Sequence, residues 1–233
     1  SGAGPCPFPC WIPLETLGDW FPVKNAVSIA NSLSIPLLYI STAGIFDGQK
    51  NIYDESDTPN PIGHYAKSKY LGEKYVMEHS IDYLICRAGW MMGGGLKKDK
   101  KFISKIINQL INGKTELNVV DDKMGTPTYT YDFANNVNIL IQNNIEGLFN
   151  MVCEGLTSRF DVCVELIKIL NLQDKIKINK VDSNFFKKEY FAQRPKSERL
   201  INKRLNKLKL NKMRDWKVCL REYLINNFSN LKL

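Results

Sequence analysis

The chain has 233 residues, a net charge of +8, 44% apolar residues and 24% charged residues. These values are ordinary for a globular protein, and the length allows one large domain or one domain with a smaller lobe. No apolar run is long enough to cross a bilayer, and the first residues lack the basic-then-apolar order of a signal peptide. We therefore expect a cytoplasmic protein with no membrane partner.

The excess of basic residues raises the question of whether the chain binds nucleic acid. Much of the excess lies late in the chain, in KLKLNKMR and among the lysines of 97–101 and 174–188. These lysines are mixed with Asn and Ile and show neither an aromatic stacking pattern nor a nucleic-acid module. We expect a solvated face and no nucleic-acid partner, while a basic rim that attracts an anionic nucleotide substrate fits equally well.

The six cysteines show neither disulfide-framework nor zinc-ribbon spacing. Cys6 and Cys10 are the only close pair, and no second Cys or His pair completes a tetrahedral site. The sequence therefore predicts no metal site, and it predicts free thiols, several of them buried.

Residues 1–23 differ in composition from the rest of the chain. They hold five of the ten prolines, two of the six cysteines and two of the four tryptophans, but no Lys and no Asn. Proline at this density predicts neither a regular helix nor a central strand. We expect regular structure to begin at about residue 24.

Beyond this segment, helical and strand patterns alternate along the chain. The predicted elements are a helix end at 26–33, a strand at 37–41, a loop at 47–61, a helix at 65–79, a strand at 82–90, a glycine turn at 93–95, a helix at 101–113, a strand at 117–120, a loop at 121–130, a helix at 131–142, a strand at 147–152, a helix at 159–170, a strand at 175–181 and a helical tail to 228. This alternation predicts an α/β fold with a mostly parallel sheet covered on both faces.

Tyr65 and Lys69 lie four positions apart in NPIGHYAKSKYLGEKYV, so they share one face of the predicted helix. An ammonium there lowers the pKa of a phenol that otherwise titrates near ~10, and this makes the Tyr a usable proton donor. The preceding strand ends at Thr42, where a hydroxyl can meet the Tyr across the ligand crevice of a parallel sheet. The alternative is a surface Tyr and a solvated Lys.

The order of motifs then becomes specific. A Ser-Thr strand end, Phe-Asp-Gly, Asp-Glu, Pro-Asn-Pro, Tyr-x-x-x-Lys and Gly-Glu follow one another over 41–73, with VVDDKMGTPTYTYDFA and AQRPKSERL later. This order resembles the extended short-chain dehydrogenase/reductases, and within them the dTDP-4-dehydrorhamnose reductase branch. The likeness covers roughly residues 25–225.

The resemblance implies roles for individual residues. Thr42 would hydrogen-bond the substrate carbonyl or hydroxyl, Tyr65 would pass the proton, and Lys69 would bind the nicotinamide ribose of NADPH or NADH and tune Tyr65. The implied substrate-binding residues are Phe46, Trp90, Thr126, Pro127, Tyr129 and Arg194. Alternatives stay open for two of them, because an ordinary core Trp and a surface ion pair of the Arg also fit.

The resemblance also implies a Rossmann-like, doubly wound parallel sheet that is incomplete at its N-terminal side. Residues 24–150 would be the C-terminal part of the NAD(P)-binding domain, with some substrate-loop residues. Residues 151–233 would form mainly a small α/β substrate-binding lobe with the closing helices.

Two departures stand out. After the strand the branch usually reads Thr-Asp-Tyr-Val-Phe. This chain has Ala43 at the position of the acidic residue and Gly44 at the position of the aromatic residue. In addition, the chain has no Gly-rich turn after a strand to hold a pyrophosphate. We therefore expect a longer parent protein that supplies this turn, a first segment that comes from another reading frame or junction, an exposed sheet edge, and no NAD(P)H turnover by the 233 residues alone.

The leading functional prediction is NAD(P)H-dependent reduction of a nucleotide-linked 4-keto-6-deoxy sugar by the parent protein. A sugar-nucleotide epimerase or dehydratase of the same superfamily is the alternative, although such enzymes normally need extra acid or base residues near Ala43 and Gly44. A non-catalytic regulatory or binding subunit is a third possibility. The oligomeric state stays open, with a homodimer as one option.

Overall fold

The computed structural model describes residues 20–187 and 193–228. Its helices are α1 (Trp20–Ser32), α2 (His64–His79), α3 (Gly95–Lys98), α4 (Phe102–Ile111), α5 (Thr130–Gln142), α6 (Arg159–Ile169), α7 (Lys203–Leu208) and α8 (Trp216–Phe228). Its strands are β1 (Leu37–Thr42), β2 (Tyr83–Ala88), β3 (Trp90–Met92), β4 (Glu116–Val120), β5 (Met124–Gly125), β6 (Pro127–Tyr129), β7 (Gly147–Asn150), β8 (Thr157–Ser158), β9 (Lys177–Val181) and β10 (Ser197–Glu198).

The main sheet has the order β1-β2-β7, and both of its pairings are parallel. In β1 and β2, Leu37 lies opposite Tyr83 and Thr42 opposite Ala88. Helix α2 connects these two strands and packs against α1 and β1. Parallel strands joined through a helix confirm the predicted α/β fold, and they place the end of β1 at the carboxyl edge of the sheet.

The irregular segment predicted for residues 1–23 is wrong at its end, because α1 begins at Trp20. Pro22 lies in the first turn of this helix. An N–H group in the first turn has no acceptor within the helix, so a proline there costs no hydrogen bond. The rest of that segment, with Cys6 and Cys10, lies outside the described residues.

The loop predicted at 121–130 is also wrong, because it contains β5 and β6. Strand β5 pairs in parallel with β10 and antiparallel with β8, and β6 pairs in parallel with β3. These strands have two or three residues each and depend on partners distant in sequence, so a local pattern does not reveal them. A further parallel pair, β4 with β9, confirms the two strands predicted at 117–120 and 175–181.

The largest hydrophobic cluster contains the inner faces of α4, α5, α6 and α8 and residues of β2, β4 and β7. Four thiols in the described part of the chain are free and buried, as predicted: Cys86, Cys153, Cys163 and Cys219. No helix among the described residues is long and apolar enough to cross a membrane.

Strand β1 forms one edge of the sheet among the described residues. Two of its apolar side chains, Leu38 and Ile40, are 41% and 43% exposed. The strand order thus gives the sheet edge expected from the sequence in this part of the chain, and one face of the edge strand is partly exposed.

Candidate active site

The site begins where β1 ends. The Thr42 hydroxyl accepts a hydrogen bond from the Gly44 N–H at 3.2 Å and so caps a single 3₁₀ turn, Ala43–Ile45. The three residues of this turn are buried, whereas Thr42 is half-buried. A hydroxyl that caps the turn is held in one orientation at the carboxyl edge of the sheet.

Helix α2 begins just after Gly63 and carries Tyr65 in its first turn, with 56% of the Tyr65 surface exposed. Lys69 is half-buried, and its ammonium lies 4.2 Å from the centre of the Tyr39 ring. The Tyr39 hydroxyl donates a hydrogen bond to the Lys69 carbonyl at 3.1 Å. Helix geometry thus places Tyr65 and Lys69 on consecutive turns of one face. Tyr39 of β1 contacts the Lys69 ammonium with its ring and the Lys69 carbonyl with its hydroxyl.

Trp90, the first residue of β3, is held by three contacts. Its indole N–H donates to Glu198 Oε2 at 2.7 Å, and the Arg159 guanidinium lies 4.5 Å from the centre of a Trp90 ring. A Cβ placed on Gly125 would lie 2.1 Å from Trp90 Cζ2, so only glycine allows the backbone of β5 to approach the indole. Trp90 is half-buried and its orientation is set by these neighbours.

The Gly-Thr-Pro-Thr-Tyr stretch lies beside Trp90. The Thr126 carbonyl accepts a hydrogen bond from Trp90 N–H at 2.9 Å, and the Thr128 hydroxyl accepts one from Gly89 N–H at 2.9 Å. The Thr126 hydroxyl is buried and has no hydrogen-bond partner among the described residues. Pro127 is also buried. The two hydrogen bonds from backbone N–H groups hold the start of β3 in place.

Two of the predicted substrate-binding side chains lie in the core. Phe46 is fully buried and stacks on Tyr53 with a centroid distance of 4.3 Å. Tyr129 is 6% exposed, packs near Tyr223, and burial raises the pKa of its phenol. In this structure both rings contribute packing, because their surfaces are already covered by protein atoms. Their assignment to substrate binding stays a prediction.

Arg194 belongs to a late segment that returns to the site. A Cβ placed on Gly63, at the start of α2, would lie 3.2 Å from the Gln193 carbonyl oxygen. The Arg194 side chain is 61% exposed, with Nη1 4.0 Å from Glu198 Oε1. Arg194 therefore forms a long surface ion pair, which was the alternative interpretation of this residue. Contact at this distance leaves most of the guanidinium in solvent.

Contacts to Glu198 thus link the turn after Thr42, Trp90 and Arg194, and the Gln193 carbonyl lies against the start of α2. Sequence reasoning missed Glu198 and Arg159 as neighbours of Trp90. Glu198 stood within the quoted stretch AQRPKSERL, yet no local pattern indicates that its side chain reaches an indole 108 residues away.

The site offers protein groups for the ribose of a nicotinamide nucleotide but not for its pyrophosphate. The exposed phenol of Tyr65 and the ammonium of Lys69 offer hydrogen-bond donors for a ribose hydroxyl. The pyrophosphate has no Gly-rich turn in this sequence. The residues present therefore match the ribose and nicotinamide end.

Comparison with known proteins decides the family. The model of the family described as RmlD substrate binding domain matches residues 21–228. The chain belongs to this family. The match agrees with the range of about 25–225 expected from the motifs, and it includes residues 21–23, which the composition had set apart.

A dTDP-4-dehydrorhamnose reductase of Mycobacterium tuberculosis is 33% identical over 130 residues, covering 53% of this chain and 42% of that protein. The chain therefore matches less than half of this relative's length. The activity, substrate and partners of the present protein are therefore proposals.

Two solved structures resemble the RmlD-family chain over most of its length. A dTDP-4-dehydrorhamnose reductase from Clostridium acetobutylicum has a TM-score of 0.79 and 33% identity, covering 87% of this chain and 69% of that one. A dTDP-4-dehydrorhamnose reductase from Bacillus anthracis, in complex with NADP, has a TM-score of 0.82 and 28% identity, covering 89% and 71%. Both likenesses agree with the Rossmann-like fold expected from the sequence.

Proposed function

We propose that this chain supplies the proton-delivery and sugar-binding parts of an NAD(P)H-dependent reductase that acts on a nucleotide-linked 4-keto-6-deoxy sugar. The observation that carries the proposal is the placement of Thr42 at the carboxyl end of β1 beside α2, the helix that bears Tyr65 and Lys69. Membership in the RmlD family and the two reductase likenesses support the same reaction.

In this proposal the keto oxygen of the substrate accepts hydrogen bonds from Thr42 and Tyr65. The reduced nicotinamide, when bound, supplies the hydride. As negative charge develops on the oxygen, the Tyr65 phenol donates its proton and the sugar hydroxyl forms. The Lys69 ammonium stabilises the phenolate that remains, and it also binds the cofactor ribose.

The remaining polar and aromatic groups recognise the substrate. Trp90 offers an aromatic edge to the sugar, and the Arg194 guanidinium binds the diphosphate, for which its paired N–H groups are suited. The exposed position of Arg194 leaves it free to approach a ligand from the solvent side. The Thr126 hydroxyl is buried and has no hydrogen-bond partner among the described residues, and the Thr126 carbonyl accepts a hydrogen bond from the Trp90 N–H.

We assign residues 24–150 to the C-terminal part of the cofactor-binding domain and 151–233 mainly to the substrate lobe. NADH and NADPH are both candidates, because the residue that reads the ribose 2′ position lies outside the matched motifs.

The proposal is tested on the full-length protein by following oxidation of NADPH and NADH in the presence of dTDP-4-dehydrorhamnose. Turnover is expected, and Tyr65→Phe is expected to reduce kcat by about 100-fold or more with little change in thermal stability. Tyr75→Phe is the matched control, because Tyr75 lies on the same helix nearly three turns further on. Turnover that survives Tyr65→Phe would refute the assigned proton donor, and a protein inert with either cofactor would refute the reductase.

A further inference from the structure

We infer that Glu198 is a sugar-recognition residue, whose carboxylate accepts a hydrogen bond from a hydroxyl of the glycosyl group next to the reacting carbonyl. The inference rests on the proposed function and deepens it: it names the residue that makes the site favour a neutral sugar hydroxyl over an anionic group. It follows from the position of one carboxylate among Thr42, Gly44 and Trp90.

The backbone around Glu198 is fixed from both sides. Strand β10, which contains Glu198, pairs with β5. On the other side, the Ser197 hydroxyl donates to the Asn51 carbonyl at 2.6 Å, and the Tyr53 N–H donates to the Arg199 carbonyl at 2.9 Å. Because its neighbours are anchored, the direction in which Glu198 projects is determined by the fold.

The side chain projects to the turn after β1. Glu198 is only 6% exposed, and its Oε2 is bound by the Trp90 indole at 2.7 Å. A Cβ placed on Gly44 would lie 3.1 Å from Glu198 Oε1 and 3.6 Å from Thr42 Oγ1. Both oxygens therefore lie within 4 Å of the same point, which places Glu198 Oε1 on the turn that the Thr42 hydroxyl caps.

Position 44 makes this arrangement possible because it has no side chain. Any Cβ there would press on the carboxylate, since 3.1 Å is tighter than ordinary van der Waals contact. Ala43 and Gly44 bring no polar side chain of their own to the turn. The carboxylate that faces this point is contributed by a residue far along the chain.

An ionised carboxylate accepts hydrogen bonds and cannot donate them. A ligand group beside Glu198 Oε1 must therefore be a donor, and in a sugar that donor is a hydroxyl. A sugar carboxylate at the same place would meet the like charge of Glu198. The Arg194 guanidinium, 4.0 Å from Oε1, offsets this charge only in part, because its side chain is 61% exposed and screened by solvent. The geometry thus selects neutral sugars and disfavours uronic acids.

The test uses calorimetry to compare the affinities of the full-length protein for three compounds: dTDP alone, dTDP-rhamnose and a dTDP-linked uronic acid. In Glu198→Gln the amide still accepts from Trp90, while the charge is lost. We expect the affinity for dTDP-rhamnose to fall about tenfold relative to dTDP alone, because a hydrogen bond to a charged acceptor is stronger than one to a neutral amide. The discrimination against the uronic acid is expected to shrink.

Gly44→Ala provides a second variant that keeps the charge but displaces it, and it is expected to weaken dTDP-rhamnose binding in the same selective way. Glu116→Gln is the matched control, since the Glu116 side chain is 60% exposed on β4 and pairs with Lys177. Equal losses for dTDP and dTDP-rhamnose, or no loss in either variant, would refute the role of Glu198 alone. A wild-type protein that binds none of the three ligands would overturn the proposed function as well.

Discussion

Glu73 and Arg87 form a two-point ion pair inside the protein, with Arg87 Nε 2.9 Å from Oε1 and Nη2 2.7 Å from Oε2. The Glu73 side chain is 0% exposed and that of Arg87 is 3% exposed. The pair joins α2 to β2, so it holds the helix that bears Tyr65 against the sheet in which Thr42 ends β1. Two hydrogen bonds restrict the rotation of the helix more than a single contact would.

Replacing Glu73 with Ala is expected to lower the free energy of unfolding by about 3–5 kcal/mol, because it leaves a guanidinium buried without its counter-charge. Arg87 Nη1 already has no hydrogen-bond partner among the described residues, which makes the loss harder to absorb. Urea denaturation measures the effect. Glu116→Ala, in an exposed pair with Lys177, should cost less than about 1 kcal/mol. Similar losses in the two variants would contradict this account.

Gly72→Ala is expected to destabilise the protein although it replaces glycine within a helix. Alanine normally gains about 1 kcal/mol at such a position. Here the added Cβ would lie 2.3 Å from the Tyr39 hydroxyl oxygen, which donates to the Lys69 carbonyl. We expect a net loss of about 1–3 kcal/mol from overpacking, measured by urea denaturation.

The exposed Lys74 of the same helix supplies the control, since Lys74→Ala should change stability by no more than about 0.5 kcal/mol. Replacing Tyr39 with Leu in the Gly72→Ala background should recover part of the loss, because the smaller side chain frees the space. A Gly72→Ala variant more stable than the wild type would show that Tyr39 moves aside at no cost.

The Asp54–Lys203 contact predicts a pH dependence of stability. The Lys203 ammonium lies 2.7 Å from Asp54 Oδ2 and lowers the pKa of this carboxyl from 3.8 to about 2. A depressed pKa in the folded state means that the stabilisation is present above 3.8 and is lost as the pH falls through about 2.

Thermal unfolding of Asp54→Asn over this pH range checks the sign. The variant should melt below the wild type near neutral pH, and the two should converge as the pH approaches 2. Asp174→Asn, at an exposed position, should track the wild type at every pH. A constant difference for Asp54→Asn would indicate that the charge of this residue is not the cause.

Gly125→Ala is expected to impair ligand binding through Trp90. The new Cβ would occupy space within 2.1 Å of Trp90 Cζ2, so the indole must turn and release Glu198. We expect the affinity for dTDP-rhamnose to fall about tenfold or more, and Trp90→Phe to produce a smaller loss because it keeps an aromatic ring. Unchanged binding in Gly125→Ala would separate Trp90 from the sugar site.

The sequence predicts the longer elements well because their signals are local. The periodic pattern of 65–79 matches α2, and the apolar run at 37–41 matches β1 within one residue. The two- and three-residue strands β5 and β6 escape prediction, since their hydrogen bonds come from β10, β8 and β3. Their existence is a property of the assembled sheet.

A local sequence pattern also does not predict whether a single side chain is buried. Phe46 and Tyr129 stand within motifs that suggest substrate contact, yet both are covered by the core. Arg194 stands in an equally suggestive motif and is exposed. Which of these side chains meets solvent depends on what packs above it from elsewhere in the chain.

The sequence by itself determined that Tyr65 and Lys69 share a helix face and that a hydroxyl, Thr42, ends the preceding strand, because helix and strand periodicities are local geometry. Only the tertiary structure decided that Glu198 faces Trp90 and the turn at Gly44. That approach depends on β10 pairing with β5 and on a glycine that leaves room for a carboxylate. Contacts between distant parts of the chain are set by how the elements pack, and packing is a property of the whole fold.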